Sequence, residues 1–287
     1  MVKKNKLRRY FFSFIILVGI ILTGYCTYRI VNHRDKLLSF IGYRGDRVLV
    51  DKNLLHSDST AVILTMGQSN AASFGEGNYV CRNDVYEYFK GDLIVAKEPL
   101  LGAFGNGGCS VWTRVSDMLI DSGYFRRIIL VPIGIGSSSI QCWDDGDCNK
   151  KLKETLNQIR KDQIKITHII WHQGETDNFE NTPKAVYKHR LNSVLSQIRQ
   201  YGIDSDFFVC IASYNPPQVG TVSNALDTAI QNAQIEFAKE VKGVKLGANT
   251  DSISLATDRF DGVHFSRSGL DKFAIKMYYK LIQDDDK

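Results

Sequence analysis

At 287 residues, with 44% hydrophobic and 23% charged residues, the chain has room for one sizeable α/β domain or two small ones of ordinary globular composition. Its formal charge of +5 traces to Lys3, Lys4, Lys6, Arg8 and Arg9, all ahead of the first apolar segment. Without them the chain is nearly neutral, which excludes nucleic-acid binding driven by charge.

Tyr10 to Tyr28 carries no charged residue and is close to the ~20 residues that cross a bilayer as a helix. The basic residues before it orient the N-terminus to the cytoplasm and the remaining chain to the outside, periplasmic or extracellular. The rival reading is a cleaved signal peptide. The long apolar region and the lack of a clear small-x-small site argue against it. The chain thus divides into a basic tail (1–9), a transmembrane anchor (10–28), a polar stalk and lead-in (29–59) and one domain (60–287).

Within that domain the first strand is Ala61 to Thr65, an apolar run that breaks at Gly67. Val85–Phe89 and Leu93–Val95, with Gly91-Asp92 between, predict a short hairpin. Gly102 to Gly108 is rich in glycine but lacks the Lys-Ser/Thr of a phosphate-binding loop, so nucleotide binding is discounted. Val111 to Ile120 has helical character and Arg127 to Pro132 is a second core strand. A helix over 150–160 follows, with Leu152, Leu156 and Ile159 at helical spacing. Ile164–Trp171 predicts a strand, Val186–Tyr201 a helix and Phe207–Ala212 a strand. A helix over 225–241, a strand over 244–248 and a closing helix over 268–282 complete the chain. Strand and helix alternate, which predicts a mostly parallel sheet covered by helices on both faces.

Cys26 lies in or beside the apolar span. Cys81, Cys109, Cys142, Cys148 and Cys210 lie beyond it, in no zinc-like spacing. In an oxidising compartment they form at most two bridges. Cys142 and Cys148 flank a turn-rich loop that closes easily. Cys81 and Cys109, both in Gly/Asn-rich loops, are the remaining pair. Cys210, in an apolar run, reads as a buried free thiol.

Three stretches carry chemistry. Gly67-Gln68-Ser69-Asn70 follows the first strand, where open α/β sheets place ligands. A second stretch, from Trp171 through His172, Gln173, Gly174, Glu175 and Thr176 to Asp177, follows another apolar run. Near the C-terminus, Asp261 and His264 set a carboxylate three residues before an imidazole. A serine nucleophile needs a base and a group that orients the base; Ser69, His264 and Asp261 are of those types. The surroundings of Ser69 are not G-x-S-x-G, so an ordinary α/β-hydrolase elbow is not indicated.

In this order the three stretches resemble the GQSN, W-x-Q-G-E-x-D and D-x-x-H blocks of the SGNH hydrolases, in the sialate-O-acetylesterase-like carbohydrate esterase branch. The resemblance implies a three-layer α/β/α sandwich and a Ser69–His264–Asp261 triad acting without metal or cofactor. It implies an oxyanion hole from the backbone of Ser69, from Gly136 and from the Gln173 side chain. Gln68 and Trp143 are expected at the substrate, with Glu175 and Asp177 in support; His168 and His172 are read as structural. The family's Gly-Gly-Thr-Ser-Ile run departs here to Gly136-Ser137-Ser138-Ser139-Ile140, leaving open which amide donates. Trp112, Tyr214 and Phe265 also fall near the expected sheet edge. The implied partner is an O-acetylated carbohydrate or polysaccharide. Alternatives are a polysaccharide O-acetyltransferase using the same site and an inactive, glycan-binding scaffold.

Overall fold

The computed structural model describes residues 47–57, 59–103, 105, 107–216 and 226–283. The apolar segment expected to cross a membrane lies outside these residues. Among the described residues no helix is long and apolar enough to do so.

Seven strands form one sheet in the order β3-β2-β4-β1-β5-β6-β7. They are β1 (Thr60–Gly67), β2 (Val85–Phe89), β3 (Asp92–Val95), β4 (Arg127–Pro132), β5 (His168–His172), β6 (Asp206–Ile211) and β7 (Val244–Asn249). All neighbours are parallel except the β2–β3 hairpin at the edge. Residues 47–50, within the stretch (29–59) read as a stalk and lead-in, lie along that edge: the Val50 N–H donates to the Leu93 carbonyl and the Val95 N–H to that of Val48.

β1 is buried along its whole length, and its period of two feeds two cores. Val62, Leu64 and Met66 join one core; Ala61 and Ile63 join the other. The first is closed by α3 (Asp147–Lys161), α5 (Lys184–Arg199) and α6 (Thr228–Glu240), which present Leu152, Leu156, Ile159, Leu191, Ile198 and Phe237. The second is closed by α1 (Trp112–Asp121) and α7 (Arg267–Ile282) through Val115, Leu119, Phe273 and Met277. Two short helices, α2 (Ile140–Asp144) and α4 (Glu175–Phe179), sit in the loops after β4 and β5. This is the expected three-layer α/β/α arrangement.

Helix starts follow local chemistry. The Asp227 carboxylate accepts from Ala229 N at the head of α6, and the Ser266 hydroxyl from Gly269 N at the head of α7. β5 begins at His168 rather than Ile164. Thr167 before it is occupied across the sheet instead: its hydroxyl bonds both the N–H and the carbonyl of Val62, each at 3.0 Å.

Cys142 and Cys148 form the expected disulfide. Cys81 and Cys109 do not pair; both are free thiols, as is Cys210. Cys109 is buried and its thiol lies 3.3 Å from the Glu76 carbonyl and 3.5 Å from Arg114 Nη1. Those contacts, rather than a second sulfur, occupy it.

Candidate active site

The carboxyl ends of β1, β4, β5 and β6 open onto one cleft of about 370 Å³, lined by Gln68, Ser69, Ser137, Glu175, Thr176, Phe179, Glu180, Asn215, Val263 and His264. The three sequence stretches, nearly 200 residues apart, therefore meet there.

Ser69 opens a 3-10 turn (Ser69–Ala71) directly after β1 and is only 5% exposed. The turn depends on Gly67. Its φ of +138° is in glycine's territory, and a Cβ there would come within 1.9 Å of the His172 carbonyl oxygen. β1 and β5 thus approach too closely for any side chain at that position. The Gln68 N–H then donates to the same carbonyl.

His264 is held from several sides. Its Nδ1 lies 2.6 Å from Asp261 Oδ2, and the other Asp261 oxygen accepts from the backbone N–H groups of Val263 (2.9 Å) and His264 (2.6 Å). Partial burial raises the Asp261 carboxyl, but the His264 ring and these two amides outweigh it and bring it below its ordinary value. Phe74 stacks on the imidazole at 5.0 Å between centroids. The same Phe74 ring covers Gly136, where a Cβ would reach within 2.5 Å of it. Arg259 braces the loop, donating to the carbonyls of Val263, Ile253 and Thr250. Neither Phe74 nor Arg259 was singled out from sequence. Phe74 falls five residues after Ser69 and Arg259 two before Asp261, both in segments that had no periodic pattern to assign.

Behind Ser69 lies a buried polar brace. Gln68 Oε1 accepts from Thr176 N (3.1 Å) and Gly174 N (3.3 Å), and Asn70 Nδ2 donates to Glu175 Oε1 at 2.9 Å. Burial pushes the Glu175 carboxyl up to about 7, against the pull of the Asn70 hydrogen bond. Burial, with the Arg259 charge second, holds the His172 imidazole down at about 3, so it is neutral; its Nε2 meets Thr250 Oγ1 at 2.9 Å. His172 is structural, as expected.

Gln173 and Trp143 do not sit where they were expected. Gln173 is fully buried and outside the cleft lining. Its Nε2 donates to Asp177 Oδ2 (2.5 Å) and the Ser138 carbonyl (3.0 Å), with Gln68 Oε1 at 3.3 Å. All three neighbours are acceptors, so the amide orientation is fixed and both hydrogens are used. It braces the cleft wall instead of offering a donor to an oxyanion. Trp143 is also fully buried, edge-on to Trp171, with its indole N–H on Ser138 Oγ at 2.8 Å. It is a core residue because α2 turns that face inward. Trp112 and Phe265 are likewise buried. Asp177 does support the wall as expected, accepting from Ile140 N and Thr182 Oγ1, each at 2.8 Å.

Ser137 holds a φ of +57°, in the left-handed region that favours glycine. The loop keeps that glycine-type conformation despite the serine, and Ser137 takes a place in the cleft wall.

Residues 59–283 match the model of a family described as carbohydrate esterase, sialic acid-specific acetylesterase. A search among curated proteins finds no match. Among solved structures, a protein from Arabidopsis thaliana superimposes with a TM-score of 0.63 at 14% identity, over 79% of this chain and 98% of that one. A carbohydrate acetylesterase from Xanthomonas citri gives 0.51 at 14% identity, over 76% of this chain and 54% of that one. The psychrotrophic esterase EstA from Pseudoalteromonas gives 0.51 at 12% identity, over 80% of this chain and 100% of that one. At such identities these likenesses bear on the fold alone.

Proposed function

The chain belongs to the sialic acid-specific acetylesterase family of carbohydrate esterases, and from that premise we infer that it hydrolyses carbohydrate O-acetyl esters through an acetyl-Ser69 intermediate. The observation that carries this reading is the pairing of two facts: Ser69 and His264 line one cleft, and His264 Nδ1 is bonded to Asp261.

The bond to Asp261 fixes the tautomer. The proton sits on Nδ1 and leaves Nε2 as the base. Ser69 Oγ attacks the acetyl carbonyl carbon while its proton passes to Nε2. The sugar oxygen then leaves with that proton. Water repeats the sequence on the acetyl-Ser69 ester, releasing acetate and restoring the serine. Asp261, low enough to remain ionised, stabilises the imidazolium formed in between. For the oxyanion we assign the backbone N–H groups of Ser69 and of the Gly136 segment, since the hydrogens of the Gln173 amide are already committed. Glu175 and Asp177 hold the wall and take no proton from the substrate. Transfer to a sugar hydroxyl and an inactive scaffold gain no support from any contact in the cleft.

The enzyme would act from a membrane anchor at residues 10–28, with its catalytic domain outside the cytoplasm. The charge pattern of the N-terminus supports this orientation, and so does the Cys142–Cys148 disulfide. Acetate release by the full-length protein from a panel of acetylated sugars tests the activity, and phosphonate labelling followed by peptide mapping tests the nucleophile. Label on a serine other than Ser69 would sink the assignment.

A further inference from the structure

The family description points to sialic acids, which carry a carboxylate beside the sugar ring. A site that binds such a group needs a cation or a set of free donors facing it. Among the described lining residues of this cleft there is no lysine or arginine, while two carboxyl groups, Glu175 and Glu180, face it. Arg259, whose charge acts on Glu175, is 3% exposed, with its guanidinium N–H groups on three backbone carbonyls and its face against Phe265 and Tyr214. Three of its five N–H groups are thereby taken, and it stands outside the cleft lining.

What the cleft does offer suits hydroxyl groups. Glu175 Oε2 is buried with no partner among the described residues, and Glu180 is exposed. Both accept hydrogen bonds that a sugar hydroxyl donates and a carboxylate cannot. Thr176, Ser137 and Asn215 add groups that donate and accept. An apolar face is present too. Phe179, at the end of α4, lines the cleft yet is 51% exposed, and Phe260, 50% exposed, lies 6.4 Å from the His264 ring. Exposed phenylalanines flanking a polar cleft match the flat C–H face of a pyranose.

We propose that the cleft selects acetyl esters carried on uncharged sugar residues and discriminates against sugars that bear a carboxylate. This rests on the esterase reading above and narrows its substrate class. Glu180 supplies the repulsion at the mouth, Glu175 accepts from a ring hydroxyl, and Phe179 stacks on the ring.

The test compares an O-acetylated N-acetylneuraminic acid with its own methyl ester, which differs only in that charge. An O-acetylated methyl glucoside and phenyl acetate complete the panel, all with the full-length enzyme. The methyl ester should exceed the free acid in kcat/KM by about tenfold, the size of one close like-charge interaction at a protein surface. Added salt should raise the rate on the free acid and leave the neutral esters unchanged. Glu180→Gln should close most of the gap, and Phe179→Ala should raise KM for the glucoside by about tenfold with little change in kcat. Equal or better turnover of the free acid, or a gap indifferent to both salt and Glu180→Gln, overturns the proposal. Hydrolysis of phenyl acetate with no acetate from any sugar removes the carbohydrate reading instead, and no hydrolysis of any ester removes the esterase itself.

Discussion

The two ends of the cleft are held in opposite ways. At the nucleophile end, Gln68 and Asn70 are bonded to Gly174, Thr176 and Glu175, more than a hundred residues away and almost without solvent. At the base end, Asp261 bonds only to residues two and three positions on, and its side chain is 40% exposed. The nucleophile is therefore placed by long-range buried bonds, whereas the orienting carboxylate is placed by bonds within its own short loop. Substitutions at the first end should register in stability as well as rate, whereas those at the second should register in rate alone.

The largest effect separates chemistry from scaffold. Ser69→Ala and His264→Ala should each lower kcat/KM by about 10⁴-fold or more, and Asp261→Asn by somewhat less. Stability of the Asp261 variant by urea unfolding should stay within about 0.5 kcal/mol of the parent, as for a surface position. A large shift for Asp261→Asn would show that the loop is part of the cooperative core and break the comparison.

Asp177 provides the opposite case. Its carboxylate accepts from Ile140 N, Gln173 Nε2 and Thr182 Oγ1. Asp177→Ala would leave those donors buried and unpaired, costing about 3 kcal/mol of stability by urea unfolding. Gln173→Ala should behave alike, with stability falling first. A loss of kcat of about 10²–10³-fold at full stability would return Gln173 to the oxyanion.

These cases also mark what the sequence could reveal. β1, β4 and the long helices were legible because hydrophobic period and burial agree in them, as in Leu152, Leu156 and Ile159. The triad residues were legible because the blocks containing them have fixed spacing. The five-residue helices α2 and α4 were not, being too short to display a period. Trp143 was misassigned for the same reason. Which way a tryptophan points from a single turn depends on what packs behind it, here Trp171, and that contact is long-range. Gln173 shows a further limit. A motif names a residue type, but whether its amide faces the cleft or the wall depends on Asp177 and Ser138.

A smaller effect, in pH, sharpens the account of the buried end. The His172 pKa is lowered from 6.5 to about 3, so its contribution is full above 6.5 and is lost as pH falls toward 3, where the unfolded chain binds a proton that the fold refuses. The Glu175 pKa is raised from 4.5 to about 7, so its contribution is full below 4.5 and is lost as pH rises toward 7. Glu175→Gln keeps an acceptor for Asn70 and removes the charge. It should flatten the stability profile between 4.5 and 7 by on the order of 2–3 kcal/mol, read as urea midpoints at stepped pH. An unchanged profile would mean that Glu175 is solvated enough to ionise freely.

The smallest expected effect concerns the disulfide, which belongs to neither end. Cys142–Cys148 spans a sequence separation of 6 and ties α2 to the start of α3. Closing so short a loop restrains the unfolded chain by about 2 kcal/mol. Had Trp143 lined the cleft, reduction would also have disturbed the substrate. It instead lies in the core, held through Ser138 Oγ and against Trp171, and these contacts do not need the sulfur–sulfur bond. Mild reduction, or replacement of both cysteines by alanine, should lower stability by about that amount while kcat/KM changes less than about twofold. The thiols provide an internal control. Burial raises both Cys81 and Cys210 to about 12, so native protein at neutral pH should resist alkylation and take up label at Cys81, Cys109 and Cys210 only on unfolding. A bridge between Cys81 and Cys109 in non-reducing peptide maps would contradict the free thiols. A large fall in kcat on reduction at unchanged stability would mean that α2 reaches the substrate after all, and the contrast between the two ends would need a third region.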